Sequence, residues 1–498
     1  MEYKVIKKEN IYFRKFNKKN EEIPNIENYN ENPENLCAEL NQAIENMDVA
    51  KISLVLEKIR KATKILHESI LNIFKIYSTI ENICYLVLNC DDLKLLLCCL
   101  NTIYTIENNI SETKNIIYDL IPFDFLLSIA FNISINEKRI RKNIFALYII
   151  INFYNSNIQN TKNIVHSSLS IQIIYNCLMN VNKSIRTDIL NTFYYLNLMI
   201  LNFITKSMHY DEGSEENNYL LTIITFFKNY ECETYLSDVV VKIITNMVES
   251  ESLSFTTMDD AAITELLKSY FILNDYDLKN SVSIAFTALI EHDSKFINSI
   301  DIDSLLDNID LLLNNRNEIE EEEEDTEPIY DTDKELVCYN SLKLLNALID
   351  KTIHDSTVIS YLTVKDPYNK GFRTIAKTAD GKYSFRILLE AGKCLNSIVR
   401  YGSYEQVSAL ISSESDSEII IRAFLNFSQF EDPNIVLSSL ISIQRLFQIA
   451  KDNSCFQGLL FAFYNHNGTN VISEVQNQFH TDEKIYEACE TIFSTYKS

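Results

Sequence analysis

Residues 95–103 read LLLCCLNTI, and a similar run of apolar residues around an asparagine returns five times along the chain. The later segments are FALYIIINF (145–153), NTFYYLNLM (191–199), VVKIITNMV (240–248), NSLKLLNAL (340–348) and AGKCLNSIV (391–399). Their asparagines, Asn101, Asn152, Asn197, Asn246, Asn346 and Asn396, are separated by 51, 45, 49, 100 and 50 residues. A period near 50 in helix-like sequence predicts stacked three-helix repeats. We therefore expect an all-α fold, a right-handed α-solenoid superhelix of about nine layers whose third helices line a concave groove.

The composition supports a helical chain. Of 498 residues 46% are hydrophobic, and only 7 are Gly and 6 are Pro. So few turn-forming residues argue against a fold with many strands. The longest apolar runs, such as 144–151 and 194–204, are too short for a membrane span, so we expect no membrane insertion.

Charge and cysteine usage limit the partners and the compartment. The chain carries 69 acidic and 45 basic residues, a formal net charge of −24, which opposes approach to a phosphate backbone and disfavours direct nucleic-acid binding. Eleven cysteines are scattered without a Cys-x-x-Cys pair. They are interpreted as reduced core thiols, and no apolar leader follows the charged N-terminus, so we expect a protein of the cytoplasm and nucleus.

Composition also divides the chain. Residues 1–45 are polar, first basic and then acidic, and predict a disordered N-terminal arm. Residues 46–490 form the predicted solenoid, interrupted by an acidic insert at 316–330 and by a Gly- and Pro-containing loop at 365–382. The arm is either a solvated leader or a docking segment. The acidic insert is either a solvated loop or an attractor for basic segments. The basic residues of the arm include Lys7, Lys8, Arg14, Lys15, Lys18 and Lys19.

No motif with a known catalytic mechanism is present. The sequence has no phosphate-binding Gly-rich loop, no Gly-x-Ser-x-Gly and no His-Glu-x-x-His, and its seven histidines are scattered. We therefore predict a binding protein without a cofactor, a metal or catalytic residues. The alternative to a binding protein is an enzyme with an unrecognised site.

The recurring asparagine suggests how such a protein could bind. In most segments the residues just before the asparagine and two after it are apolar, for example Ile151 and Tyr154, and lie on a buried helix face. An amide carries two donors and one acceptor, so a row of amides can bond the backbone of an extended peptide. Alternatively, the amides join neighbouring repeats and are structural.

These segments resemble the armadillo repeats of the importin-alpha (karyopherin-alpha) family, whose third helices end in a pattern like Trp-Ala-Leu-x-Asn-Ile. In that family the Asn clamps the backbone of a nuclear localisation signal and the Trp four residues earlier stacks on its lysine stems. The stretch LVLEKIRKATKIL (54–66) resembles the first armadillo helix of the family, and the basic arm stands where its importin-beta-binding segment would be.

The chain departs from the family pattern because it contains no Trp. The residues four before each Asn are Leu97, Tyr148, Phe193, Lys242, Leu342 and Gly392. Of these, only the rings of Tyr148 and Phe193 could stack on a lysine stem.

The resemblance implies a nuclear import adapter. Its peptide-binding residues would be Asn101, Tyr148, Asn152, Phe193, Asn197, Asn246, Asn346 and Asn396, and its partners basic cargo segments and an importin-beta-like carrier that binds the arm. The alternative is a divergent armadillo-repeat scaffold that does not bind such signals.

Overall fold

The computed structural model describes residues 32–132, 137–155, 171–181, 184–206, 215–228, 233–249, 257–319, 332–354, 357–365, 370–381, 383–452 and 455–497. Every regular element within these ranges is helical. The chain divides into two compact units, one ending at Asn246 and the other beginning at Met247. We call them unit 1 and unit 2. The arm residues from Lys7 to Lys19 and most of the acidic insert lie outside the described residues.

Unit 1 contains the first helices, and α12 continues by three residues into unit 2. The helices are α1 (Pro33–Glu45), α2 (Val49–Leu66), α3 (Leu71–Ile76), α4 (Thr79–Asn89), α5 (Leu93–Asn109), α6 (Thr113–Leu120), α7 (Phe123–Ala130), α8 (Glu137–Asn155), α9 (Ile171–Asn180), α10 (Thr187–Thr205), α11 (Glu215–Lys228) and α12 (Thr234–Glu249), with a 3-10 turn at His67–Ile70.

Unit 2 contains the remaining helices. They are α13 (Thr257–Phe271), α14 (Tyr276–His292), α15 (Ile302–Ile319), α16 (Thr332–Lys351), α17 (Thr357–Ser360), α18 (Lys370–Asp380), α19 (Phe385–Tyr401), α20 (Tyr404–Leu410), α21 (Glu414–Ser428), α22 (Pro433–Lys451), α23 (Phe456–Asn465), α24 (Gly468–Gln478) and α25 (Glu483–Lys497), with a 3-10 turn at Ser294–Ser299 and a π turn at Tyr361–Lys365.

Aspartates define where several helices begin. The side chains of Asp48, Asp92 and Asp275 each accept a hydrogen bond from the backbone N–H three residues on, at 2.7 to 3.0 Å. Asp432 caps α22 in the same manner, through the N–H of Asn434, and Pro433 occupies the first turn. An aspartate here satisfies an N–H that has no partner inside the helix, and proline needs none.

Within each unit, the helices that carry the recurring asparagine pack side by side with the helices at the equivalent place in the other layers, and we call all of them the ladder helices. They are α2, α5, α8, α10 and α12 in unit 1, and α14, α16, α19, α22 and α25 in unit 2. Most hydrogen bonds between consecutive ladder helices join residues 44 to 46 apart in sequence, as in the pairs Asn152–Glu107 and Asn396–Ser442. This separation confirms the repeat and the predicted all-α solenoid fold.

One ladder contact spans a longer stretch of chain. The Asn340 amide of α16 donates to the side-chain oxygen of Asn280 of α14, and the two residues lie 60 apart in sequence. The excess over the usual separation is about the length of the predicted acidic insert. The insert is therefore accommodated between α15 and α16 while α14 and α16 still pack together.

A second row of helices backs the ladder, including α15, α18, α21 and α24 in unit 2. Two bidentate ion pairs join α18 to α21. The Arg373 guanidinium donates to Asp416 at 2.7 and 2.9 Å, and that of Arg422 donates to Asp380. Both carboxylates are buried although both arginines remain partly exposed, so each pair fixes the register of neighbouring layers.

The structure corrects three sequence-based boundaries. The helical body begins at Pro33, not residue 46, because Leu36, Cys37 and Leu40 of α1 are buried against α2. It continues to Lys497, beyond the predicted end at residue 490. The predicted insert at 316–330 begins inside α15, which extends to Ile319.

The predicted loop at 365–382 is wrong for most of its length, because residues 370–380 form α18. Gly371 serves close packing in this helix. A β-carbon at Gly371 would lie 2.7 Å from the Leu306 side chain of α15, so the residue is small because two backing helices touch there.

Candidate functional site

The asparagines of two unit 1 layers bridge neighbouring ladder helices. The Asn152 amide donates to Glu107 Oε2 at 3.1 Å and to Asn108 Oδ1 at 3.2 Å. The Asn246 amide donates to the side-chain and backbone oxygens of Asn202 and to Thr205 Oγ1, at 2.9 to 3.2 Å. Each amide thus bonds the preceding ladder helix, as the structural alternative predicted.

Asn197 and Phe193 are buried in the core of unit 1. The Asn197 amide donates to the backbone oxygen of Phe193 at 2.8 Å, and its Oδ1 has no hydrogen-bond partner. Because α10 is apolar on nearly every side, both residues face packed neighbours. With 0% of Asn197 and 3% of Phe193 exposed, neither can contact a peptide, and the predicted stacking role of Phe193 is wrong.

Tyr148 and Asn101 remain partly exposed. The Tyr148 ring lies 5.0 Å from that of Tyr104, and further ring pairs join consecutive ladder helices along the same unit. These are Tyr154 with Phe203, stacked at 4.1 Å, and Tyr195 with Tyr235, edge-on at 5.4 Å. Unit 1 thus presents aromatic rings and amides along its ladder helices.

A buried carboxyl group lies behind this row. Glu107 is 1% exposed, and its Oε1 has no hydrogen-bond partner while Oε2 accepts from Asn152. Burial raises the pKa of Glu107 to about 8, and the Asn152 hydrogen bond and the charge of Lys114 only partly offset that rise. A proton can therefore be held here near neutral pH.

The asparagines of unit 2 bond the following ladder helix. The Asn346 amide of α16 donates to the backbone oxygen of Glu390 at 3.0 Å and to its carboxylate at 2.9 Å. Asn396 accepts from Ser442 Oγ at 2.7 Å, and no hydrogen bond is made by its amide N–H groups within the described residues. The amide N–H groups of Asn396 therefore point to a partly exposed surface.

Sequence reasoning missed a line of cations on α19. Arg386, Lys393 and Arg400 are exposed and seven residues apart, so they lie on one face of the helix, about 10.5 Å from one to the next. We call these three residues the cationic stripe. The seven-residue spacing is visible in the sequence, but nothing there shows that this face is uncovered.

Lys343 of α16 extends the stripe sideways. The Tyr339 ring lies under both Lys343 Nζ, at 5.8 Å, and the Arg386 guanidinium, at 5.7 Å, so two neighbouring helices place cations around one ring. Lys393 Nζ donates to the buried carboxylate of Glu390 at 2.8 Å. Lys343, Arg386 and Arg400 have no carboxylate partner among the residues that the structure describes.

Metal-binding clusters and membrane-spanning helices are absent from the described ranges. These ranges contain no group of three or more His, Cys, Asp or Glu residues placed to hold a metal ion. None of their helices combines the length and apolar character needed to cross a membrane. Their cysteines are free thiols, and burial raises the pKa of Cys84 to about 12, which keeps that thiol protonated.

Neither a protein-family model nor a curated protein matches the sequence. Solved structures match the fold. One, from work on a phosphorylation switch that controls the interaction between cadherin and β-catenin, aligns with a TM-score of 0.60 and 11% identity over 94% of this chain and 86% of that one. An engineered protein aligns over 56% of this chain and 96% of its own, with 13% identity and a TM-score of 0.37, too low to support an argument. The chain therefore has an armadillo-like helical repeat fold.

Proposed function

We propose that this chain is a protein-binding scaffold that takes an extended polypeptide segment across its ladder helices. The observation that carries the proposal is the row of partly exposed tyrosines and amides in unit 1, which includes Asn101, Tyr148, Tyr195 and Tyr235. Tyrosine is enriched at protein interfaces because its ring buries apolar area while its hydroxyl bonds. These residues occupy different positions of the repeat, but they lie on consecutive ladder helices, so each of these layers offers a contact.

Nuclear import of basic cargo is the more specific candidate, and one layer of unit 1 favours it. Tyr148 precedes Asn152 by one helical turn and is partly exposed, the arrangement that could hold a lysine stem beside a backbone clamp. In this proposal the carrier binds the basic arm through residues 4–19. The proposal has no equivalent support at Phe193 and Asn197.

Binding can be tested with three labelled peptides of equal length that are lysine-rich, acidic and neutral, added to the full chain. Fluorescence anisotropy measures affinity, and hydrogen exchange locates the protected helices. The scaffold proposal expects at least one peptide to bind and to protect ladder helices more than backing helices. Binding by none of them, at low and at moderate salt, would overturn it.

The import candidate makes a more specific prediction. A lysine-rich signal peptide should bind, and Asn101→Ala should weaken it several-fold, because a lost peptide hydrogen bond is worth about 1 kcal/mol. Asn197→Ala is the matched control and should leave affinity unchanged, since that side chain is buried. Deleting residues 1–20 should abolish binding of an importin-beta-like carrier. A tight complex with the neutral peptide alone would reject the import candidate and keep the scaffold.

A further inference from the structure

We propose that the cationic stripe of unit 2 binds an acidic, extended segment of a partner protein. This inference rests on the proposed scaffold function and names the chemistry of one ligand. The proposed ligand is acidic, whereas the resemblance to importin-alpha implies basic cargo.

The stripe is a continuous surface of one helix. Arg386, Lys393 and Arg400 follow each other at two-turn intervals along α19, and Lys343 of α16 meets the first of them over the Tyr339 ring. Four cations therefore lie on two adjacent ladder helices. The chain as a whole has 24 more acidic than basic residues, so this cluster of positive charge is a local exception.

The backing helices of the same unit show how this chain uses arginine for structure. Arg373 and Arg422 each face a buried aspartate and donate two or more hydrogen bonds to it. Among the described residues, Arg386 and Arg400 instead contact tyrosine rings, at 5.7 and 5.6 Å, and both side chains are exposed. Their guanidinium groups are available to carboxylates, which they bind in a bidentate manner.

A polypeptide fits this surface better than a nucleic acid does. The amide N–H groups of Asn396, between Lys393 and Arg400 on α19, have no partner in the described part of the chain and can donate to a peptide carbonyl. The stripe is one helix long, while the chain as a whole is strongly acidic and repels a long polyanion. A short acidic segment avoids that repulsion.

The test uses the full chain and a fluorescein-labelled peptide of about 14 residues in which Asp and Glu alternate with Leu and Ser. Two matched peptides replace every acid by Asn or Gln, or by Lys. Arg386→Gln with Arg400→Gln removes two cations that have no carboxylate partner and leaves the Lys393–Glu390 pair intact. The control, Lys377→Gln with Lys484→Gln, removes two exposed lysines of the same unit, so the net charge is matched.

We expect the acidic peptide to bind and its affinity to fall about tenfold or more in the Arg386/Arg400 variant, but less than about twofold in the control. Binding should weaken as salt rises, because the contacts are exposed charges. Reversal of charge, Arg386→Glu with Arg400→Glu, should transfer preference to the Lys peptide, a gain that a misfolded protein cannot give.

Equal binding of the acidic peptide by all variants would overturn the inference. Binding of a single-stranded RNA oligonucleotide at the stripe without binding of the acidic peptide would also overturn it. If the neutral or Lys peptide binds the unaltered chain and the acidic one does not, the inference fails while the scaffold function stands. If no peptide binds, the scaffold function fails with it.

Discussion

Unit 1 and unit 2 share one repeat but join and expose their layers by different chemistry. In unit 1 the ladder helices are linked by amides and ring pairs, such as Asn246 with Asn202 and Tyr195 with Tyr235. In unit 2 amides also link the ladder helices, as in Asn346 with Glu390, but charges join the backing helices and occupy the exposed face. Charges are paired between the backing helices, as in Arg373 with Asp416, whereas Arg386 and Arg400 of the cationic stripe have no carboxylate partner within the described residues. The comparison shows that the repeat determines how the helices of each layer pack. The residues on the exposed face of a layer can vary and determine which ligand binds.

The ion pairs of unit 2 should give the largest effect on stability. Arg373→Met leaves the Asp416 carboxylate, 3% exposed, without its guanidinium. Because an unpaired buried charge is strongly unfavourable and Arg373 is partly in water, we expect unfolding free energy to fall by about 2 to 4 kcal/mol. Urea denaturation followed by circular dichroism measures this.

The control is an exposed pair in unit 1. Lys61→Met removes the Lys61–Glu57 pair, in which both side chains are about half exposed. It should change stability by less than about 0.5 kcal/mol. Equal effects of the two substitutions would show that paired charges do not distinguish the units.

Glu107→Gln tests the buried carboxyl group of unit 1. The unfolded side chain ionises from its ordinary pKa near 4.5, but the folded one only near 8. Between these values the folded state binds more protons, so the stability of the unaltered protein falls as pH rises. The neutral glutamine escapes this penalty, and we expect the variant to be more stable at pH 8 by about 1 to 3 kcal/mol.

Thermal unfolding at several pH values between 4.5 and 8 measures the difference. Glu112→Gln is the control, because Glu112 is exposed and should give curves parallel to those of the unaltered chain. If Glu107→Gln and the unaltered protein keep the same stability difference across this range, the buried carboxyl does not titrate as described.

A smaller effect is expected at the bridging amide of unit 1. Asn246→Ala removes the hydrogen bonds to Asn202 and Thr205, and should lower unfolding free energy by about 1 to 2 kcal/mol because the site is partly exposed. Denaturation in urea gives the value. A neutral result would mean that the amide serves a ligand and not the contact between layers.

The smallest effect is expected at Asn197, although it occupies the same place in the sequence pattern. Its amide bonds only the backbone of its own helix, and its Oδ1 is buried without a partner. Asn197→Ala removes that unsatisfied atom, which offsets the packing lost at a buried site, so stability should change by less than about 1 kcal/mol. A loss larger than that of Asn246→Ala would reverse the order of the two layers.

The repeat and the helical fold were predictable because apolar spacing and the return of asparagine depend only on local sequence. The partners of each amide were not, because Asn152 bonds backwards to Glu107 while Asn346 bonds forwards to Glu390. Phe193 seemed equivalent to Tyr148, yet the apolar surroundings of α10 bury it.

Two other errors have the same origin. The turn-forming residues near Gly371 suggested a loop, while close packing against Leu306 was the reason for the glycine. The exposure of the cationic stripe was not predictable from the sequence, because exposure depends on which neighbouring helices cover a face. Burial and the contacts between layers, rather than residue type, decide each of these cases.

The short sequence separation of the cross-layer bonds has a mechanical consequence. The cross-layer bonds named above join residues only 41 to 60 apart, so each ties a layer to its neighbour. A force that pulls the two ends of the chain would therefore load neighbouring layers in series. A layer that gives way would release roughly 45 residues, or about 150 Å of extended chain. The molecule would then lengthen in steps, and its resistance would be that of its weakest layer.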